Sequence, residues 1–383
     1  MLRPIGQPAT LSIAKTRAIV KDLFAPRASI YWADFLTSMV VGSAAYFLVR
    51  RTARVWPEHA ILLSTFCYAV SVILYYRAAL FIHELAHLRD KTFLAFRIVW
   101  NLLCGIPFLM PSFLYYSHVD HHTRKHYGTH DDGEYLPLAT TGPGKIVVYL
   151  IQPLLIPLLA VVRFLALAPL GWMVPPLRRW LHQHASSLVM DPTHVRPLPS
   201  RKALRIFRLQ ETCCFLLSLA TAVMLVRGRM PIGFLIQAYA TSVGILYLNH
   251  IRTLGAHRYI NAGGEMTFVD QLLDSVNYPN SRLLGEIAMP VGLRFHALHH
   301  LFPSLPYHNL AKAHKRLMAE LPPDSPYRAT VSPSLGAALG ELWRRSRNVA
   351  RHGNRPAGKT PDTEPATRHQ PHWSRPCNEE CQT

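Results

Sequence analysis

The chain alternates between apolar and polar stretches on a scale of about twenty residues rather than two or four. Residues 35–49, 60–76, 146–170, 213–226 and 231–248 are nearly free of charge. Most approach the roughly 20 residues a helix needs to cross the hydrocarbon of a bilayer. The pattern predicts an all-α, multi-pass membrane protein. Residues 60–82 read as one helix interrupted only by Arg77. Residues 92–115 are apolar but broken by Arg97, Gly105, Pro107 and Pro111, which predicts a segment that lies in the interface or dips in and returns. Residues 146–170 carry Pro153, Pro157, Pro169 and Arg163 and are predicted to be interfacial or re-entrant for the same reason. About four transmembrane helices remain, two of them a hairpin through 227–229, with the histidine-rich segments forming a helical cap on one face.

Composition adds orientation. The formal net charge of +19 raises nucleic acid as a partner, but the basic residues flank apolar segments or lie in the C-terminal tail, where they suit topology and anionic head groups. No nucleic-acid partner is expected. The 178–208 stretch holds Arg178, Arg179, Arg196, Arg201, Lys202, Arg205 and Arg208, against Arg50, Arg51, Arg54, Arg227 and Arg229 in the opposite loops. The histidine face is therefore expected on the cytoplasmic side. The first 30 residues mix Lys15, Arg17, Lys21, Asp22 and Arg27 without an apolar core, so they are expected to stay cytoplasmic, with insertion left to the hydrophobic segments. The expected organisation is an N-terminal segment, 1–30, a membrane domain, 31–345, and a disordered basic tail, 346–383, where almost nothing apolar remains. Cys67, Cys104, Cys213 and Cys214 fall in apolar stretches and read as buried thiols, and Cys377 and Cys381 lie in the tail without a second cysteine pair.

The candidate chemistry is in the histidines. "FIHELAHLRD" contains His83 and His87 at i and i+4 with Glu84 between them, which fits the HExxH signature of zinc metalloproteases. Two further clusters change that reading: "SHVDHH" gives His118, His121 and His122, and "FHALHHLFP" gives His296, His299 and His300. On a helix, positions i, i+3 and i+4 share a face, so each cluster presents three imidazoles to one side. A lone histidine in an apolar segment is ordinarily a hydrogen-bonded core residue. Eight together at a membrane face would leave many nitrogens without partners, and metal coordination satisfies them. Catalytic zinc uses about three protein ligands, so two ions are implied. Imidazole suits zinc, copper, iron and nickel alike and does not name the metal.

HELAH, HVDHH and HALHH, with "HHLFPSLPYHNL" continuing the third and including Pro306, His308 and Asn309, resemble the three histidine boxes of the membrane fatty acid desaturase family over residues 35–320. The resemblance implies a catalytic membrane domain with a non-haem di-iron centre that uses O2 to remove hydrogen from an unactivated carbon of a fatty acyl lipid. It makes His83, His87, His118, His121, His122, His296, His299 and His300 iron ligands. It adds one further histidine after the last crossing, His257, with His250 as the competitor deeper in the same helix. Relatives can carry an asparagine four residues before that histidine, where this chain has Thr253. Asp120, Asp131, Asp132, Glu134, Asp270 and Asp274 are candidates to accept the outer N–H of ligand imidazoles.

The leading expectation is a fatty acid desaturase acting on an acyl-lipid or acyl-CoA. The alternative of the same type is a lipid or carotenoid hydroxylase or ketolase. From a different class, an intramembrane zinc protease would use Glu84 as general base but leaves six boxed histidines unemployed. The sequence has no haem domain, cysteine-rich iron–sulfur pattern or glycine-rich dinucleotide motif, so a separate electron donor of ferredoxin or cytochrome b5 type is expected.

Overall fold

The computed structural model describes residues 11–88, 93–280 and 282–352. Among these residues no strand forms. The extended pairings are isolated bridges joining His257 to Ser275 and Asn277 to Phe295 and Val331. Five helices are long and apolar enough to cross a membrane: Ala28–Val49, Pro57–His87, Gly144–Met173, Arg201–Val226 and Ile232–Ala256. Their outer faces expose Val40, Ile61, Leu62, Phe66, Val226 and Ile236, an arrangement that is costly in water and suited to lipid.

The first two of these helices run antiparallel. At one end Arg77 makes a bidentate pair with Asp34, both contacts 2.6 Å, and at the other Thr52 meets Ser64. Small residues let the backbones approach. A Cβ on Gly42 would stand 3.2 Å from Leu74 and Tyr75, and one on Gly244 would stand 3.1 Å from Val72 and the Tyr68 hydroxyl. Tyr68 donates to the Ala240 carbonyl at 2.8 Å, tying the last long helix to the second.

The 146–170 region differs from its expectation in one respect. Pro153 and Pro157 lie inside a helix that runs from Gly144 to Val161 and continues through a π-helical turn, Val162–Leu167, into Ala168–Met173. Prolines are tolerated in apolar helices because neighbouring groups and local widening re-satisfy the freed carbonyls. Arg163 does not break the segment because Glu211 neutralises it at 2.7 Å, with Arg178 and Trp172 completing the cluster. The first turns of this segment stack Tyr149 on His250. After Met173 the chain comes back through Pro175–His184, about 15 Å of helix, to Leu188, whose N–H donates to Leu114 beside the second box. Ten residues are too short to cross the hydrocarbon, whereas Gly144–Met173 is by length and composition one of the five helices that could. The 92–115 region is too short to cross, with Leu94–Gly105 its longest helical part among the described residues and a 3-10 turn at Ser112–Tyr115.

The cap is clasped from both chain ends. Asn309 donates to the Leu23 carbonyl at 2.7 Å, His308 accepts from the Arg27 amide at 3.1 Å and Arg316 pairs with Asp22, so the HNL continuation of the third box anchors the N-terminal segment. Asn277 sits at the cap's centre, its Nδ2 on Thr330 and its Oδ1 accepting the Leu298 amide. This fixes the helix carrying the third box. The last helix, Leu335–His352, runs past the expected tail boundary at 346. Ser346 is buried there and donates to the Thr141 carbonyl. Residues 353–383, with Cys377 and Cys381, and residues 1–10 lie outside the described residues.

Candidate metal centre

The histidines named from the sequence gather into two groups. His83, His87, His118, His122 and His299 form one, and His121, His257, His296 and His300 form the other. Within each group one ring nitrogen per residue lies within 4.8 Å of all the others. Helix geometry explains the partition. From residue i, position i+4 lies about 40° to one side and i+3 about 60° to the other. His118 and His122 therefore go together while His121 is displaced, and His296 and His300 go together while His299 is displaced. The two HxxHH boxes face each other, each giving its i, i+4 pair to one group and its i+3 residue to the other. His83 and His87, on Phe81–His87, complete the first group. His257, just past the end of Ile232–Ala256, completes the second. His250, its competitor, lies outside both, its Nδ1 donating to the Leu246 carbonyl at 2.8 Å. His126 and His130 also stay outside, near Asp131.

Outer partners fix the ring orientations. His118 Nδ1 is 2.8 Å from Glu134 and His121 Nδ1 is 2.7 Å from Asp132. Asp132 is itself held by the Gly128 and Glu134 amides. His257 Nδ1 contacts the Tyr127 hydroxyl at 2.8 Å, and that hydroxyl donates to Asp274 at 2.8 Å. Since Tyr127 spends its proton on Asp274, and Ser275 spends its own on the Gln271 carbonyl, both accept from His257. Of the six candidate acids, Glu134 and Asp132 act directly and Asp274 through Tyr127. Asp270 instead forms a capping box with Thr267, Asp131 is exposed beside His130, and Asp120 is exposed. Tyr127 and Ser275 had no signal in the sequence, because a hydroxyl that relays between residues 257 and 274 belongs to no local motif.

With Nδ1–H turned outward, His121 and His257 present bare Nε2 lone pairs to each other at 3.2 Å. The same approach recurs for His296 and His257 at 2.9 Å, His122 and His118 at 3.0 Å, and His299 with His87 and His122 at 3.2 Å. Converging lone pairs repel unless a cation lies among them. Nitrogens bound at about 2.1 Å to one ion stand about 3.0–3.4 Å apart. His83 is buried with neither nitrogen hydrogen-bonded, which a ligand role also resolves. The residues therefore fit a metal ion in each group. Burial and mutual repulsion hold His122, His257, His296, His299 and His300 well below the ordinary imidazole range, so they are neutral and able to coordinate. Burial also acts on His121, but the Asp132 carboxylate prevails and raises it.

Glu84 does not face these groups. It is buried on the opposite side of its helix, accepting from the Tyr31 hydroxyl at 2.6 Å and the Tyr307 amide at 3.4 Å. It contacts no boxed imidazole, and Arg89, the nearest cation in the sequence, lies outside the described residues. A general base over a zinc ion needs the reverse orientation.

A family model described as fatty acid desaturase matches residues 57–331, a span holding all nine histidines of the two groups and four of the five long apolar helices. The chain belongs to the fatty acid desaturase family. It is similar to the ceramide hydroxylase of Caulobacter vibrioides (strain NA1000 / CB15N), with 40% identity over 342 residues, 89% of this chain and 95% of that one. The chain is thus a membrane enzyme of the desaturase family, and its members include a hydroxylase.

In this desaturase-family chain, a cavity of about 120 Å³ opens beside both histidine groups, lined by His83, His118, His121, His257 and His296 on one side. Its other walls combine apolar residues, among them Leu80, Ile82, Met110, Ile156 and Ile245, with Asn249, His250, Arg252 and Thr253. An alkyl group fits the apolar part.

Proposed function

We propose that this protein is a di-iron, O2-dependent hydroxylase of a ceramide-type membrane lipid. The observation that carries the reading is the pairing of two histidine groups, with outward-turned Nδ1–H and converging Nε2, against a cavity walled by membrane helices. The family's histidine boxes support iron, and the similarity to a ceramide hydroxylase supports hydroxylation over the desaturation expected from the boxes alone.

In this reading His83, His87, His118, His122 and His299 hold one ion and His121, His257, His296 and His300 the other. Two irons held there would supply the activation of O2 that an unactivated C–H bond requires. The balanced conversion is R–H + O2 + 2 e⁻ + 2 H⁺ → R–OH + H2O, its electrons coming from a separate donor of ferredoxin or cytochrome b5 type. The chain's own residues do the rest. Asp132, Glu134 and the Tyr127–Asp274 relay keep the ligand rings in one tautomer and orientation. The apolar wall from Leu80 to Ile245 holds the lipid and keeps bulk water from the reacting carbon. The histidine face is the cytoplasmic one, since the cap adds Lys312, Lys315, Arg316, Arg344 and Arg345 to the basic 178–208 loop.

Expression in a bacterium that makes ceramides, followed by lipid mass spectrometry, tests the reading. The expected product is a ceramide heavier by one oxygen, dependent on O2. A ceramide lighter by two hydrogens instead returns the assignment to desaturation. An unchanged ceramide pool, with the protein loaded with iron and supplied with reductant, removes the substrate class.

A further inference from the structure

Arg252 is the residue that the metal centre leaves unexplained. It lies on the Ile232–Ala256 helix, 6% exposed, and lines the cavity beside the histidine groups. Its guanidinium donates to Asn249 Oδ1 at 3.0 Å and to the Tyr76 hydroxyl, and its Nε has no acceptor. Among the described residues no carboxylate pairs with it. Arg163 is neutralised by Glu211, although its Nη1 too lacks an acceptor, and Arg196 donates to the carbonyls of Phe113 and Ser186 away from the histidine groups. A guanidinium is always charged and carries five donors, so one inside an apolar helix with neutral partners only and a buried Nε left over is costly and points to a ligand. It also stands beside two groups built for cations, where a further positive charge is favourable only with an acceptor oxygen against it.

A second buried atom points the same way. His250 gives its Nδ1–H to a carbonyl, so its Nε2 is an acceptor, and that Nε2 is buried without a donor. The cavity therefore offers donors on Arg252 and an acceptor on His250, whereas an acyl tail would need neither. Arg252 precedes His257 by five residues, about 7 Å of helix rise.

We infer that Arg252, with Asn249 and His250, binds the polar oxygens and N–H of the substrate lipid inside the cavity, so that the carbon oxidised lies a few bonds from those groups rather than in mid-chain. The inference rests on the hydroxylase reading above and adds the part of the lipid that reaches the metals. Arg252 is thus a positioning and specificity residue. Its amide- and hydroxyl-binding role also explains how an enzyme with apolar walls selects one carbon of a long chain.

The test compares the full-length protein with R252Q and R252K, each purified in detergent, reconstituted with iron and reductant, and assayed on a short-chain ceramide with the product hydroxyl located by fragmentation. Wild type is expected to place one hydroxyl within a few bonds of the amide. R252Q should keep its iron, raise KM about 10- to 100-fold, the effect of losing a charged hydrogen bond, and scatter the hydroxyl over neighbouring carbons, while R252K recovers part of the KM. A wild-type hydroxyl in mid-chain overturns the inference. So does an R252Q enzyme with unchanged KM and a single product, or iron loss in both variants, which would make Arg252 a folding residue. If wild type ignores ceramide but oxidises another lipid of the host membrane, the substrate reading fails instead, and the same comparison on that lipid decides the role of Arg252.

Discussion

In the five-histidine group, His118 alone among the described residues hands its outer N–H to a carboxylate, whereas in the four-histidine group His121 and His257 both end on buried acids, Asp132 directly and Asp274 through Tyr127. The first group has more nitrogens and fewer outer supports. His83 and the His122 Nδ1 have no hydrogen-bond partner, against the His296 Nδ1 alone in the second group among the described residues. One ion would be held by ligand number and the other by ligand orientation. A site short of ligands depends on its second layer, so the two groups should respond differently to the same kind of damage.

The largest effects come from ligands themselves. Replacing His121 or His299 with Ala, each buried and each the displaced residue of its box, should strip metal from its group and abolish product. Metal analysis by mass spectrometry should show the four-histidine group losing its ion more completely after His121→Ala than the five-histidine group after His299→Ala. Equal retention in both would erase the distinction.

Outer supports come next. Asp132→Asn keeps the shape and removes the charge facing His121, and should weaken metal binding about 10- to 100-fold. Tyr127→Phe, which cuts His257 off from Asp274, should fall in the same range. Glu134→Gln, acting on a group with four other ligands, should cost less than either. Titrating metal into apo-protein orders the three, and a Glu134 variant weaker than the Asp132 variant would reverse the comparison.

Glu84 is the next step down, because it touches neither group. Glu84→Gln should leave metal content intact and lower stability by about 1–3 kcal/mol through its bonds to Tyr31 and Tyr307, with Tyr31→Phe giving a similar loss in thermal unfolding. Complete loss of turnover with metal retained would revive the general-base role suggested by HExxH.

The smallest effect is expected from a histidine remote from both groups. Burial, with Arg294 adding to it, lowers His314 to about 4, and its Nδ1 meets the Tyr327 hydroxyl at 2.7 Å. Its ordinary value is near 6.5. The unfolded chain therefore takes up a proton that the fold refuses as pH falls below 6.5, and stability drops toward pH 4. Between pH 7.5 and 5.5 the loss should stay near about 1 kcal/mol and disappear in His314→Gln, as read by midpoint shifts.

Much of this molecule was legible from local pattern. Charge-free runs of near-spanning length are set by the energetics of lipid, and histidines at i, i+3 and i+4 share a face in any helix, so the all-α membrane architecture and the eight boxed histidines needed no tertiary information, whereas His257 came only with the family resemblance. That the helix of 146–170 runs on through its prolines and Arg163 was not legible, because Glu211, the partner of Arg163, comes from another helix. The same limit hid Tyr127, Ser275 and Arg252, whose roles depend on what stands opposite them. Sequence spacing could place His118, His121 and His122 on one face but not divide them, since the division depends on where the helix of His296, His299 and His300 lies. That helix is held by Asn277 and Thr330 from elsewhere in the cap. Periodicity is a property of one helix and is written in consecutive residues. The partners of a buried nitrogen or guanidinium are set by the packing of several helices and exist only once the chain has folded.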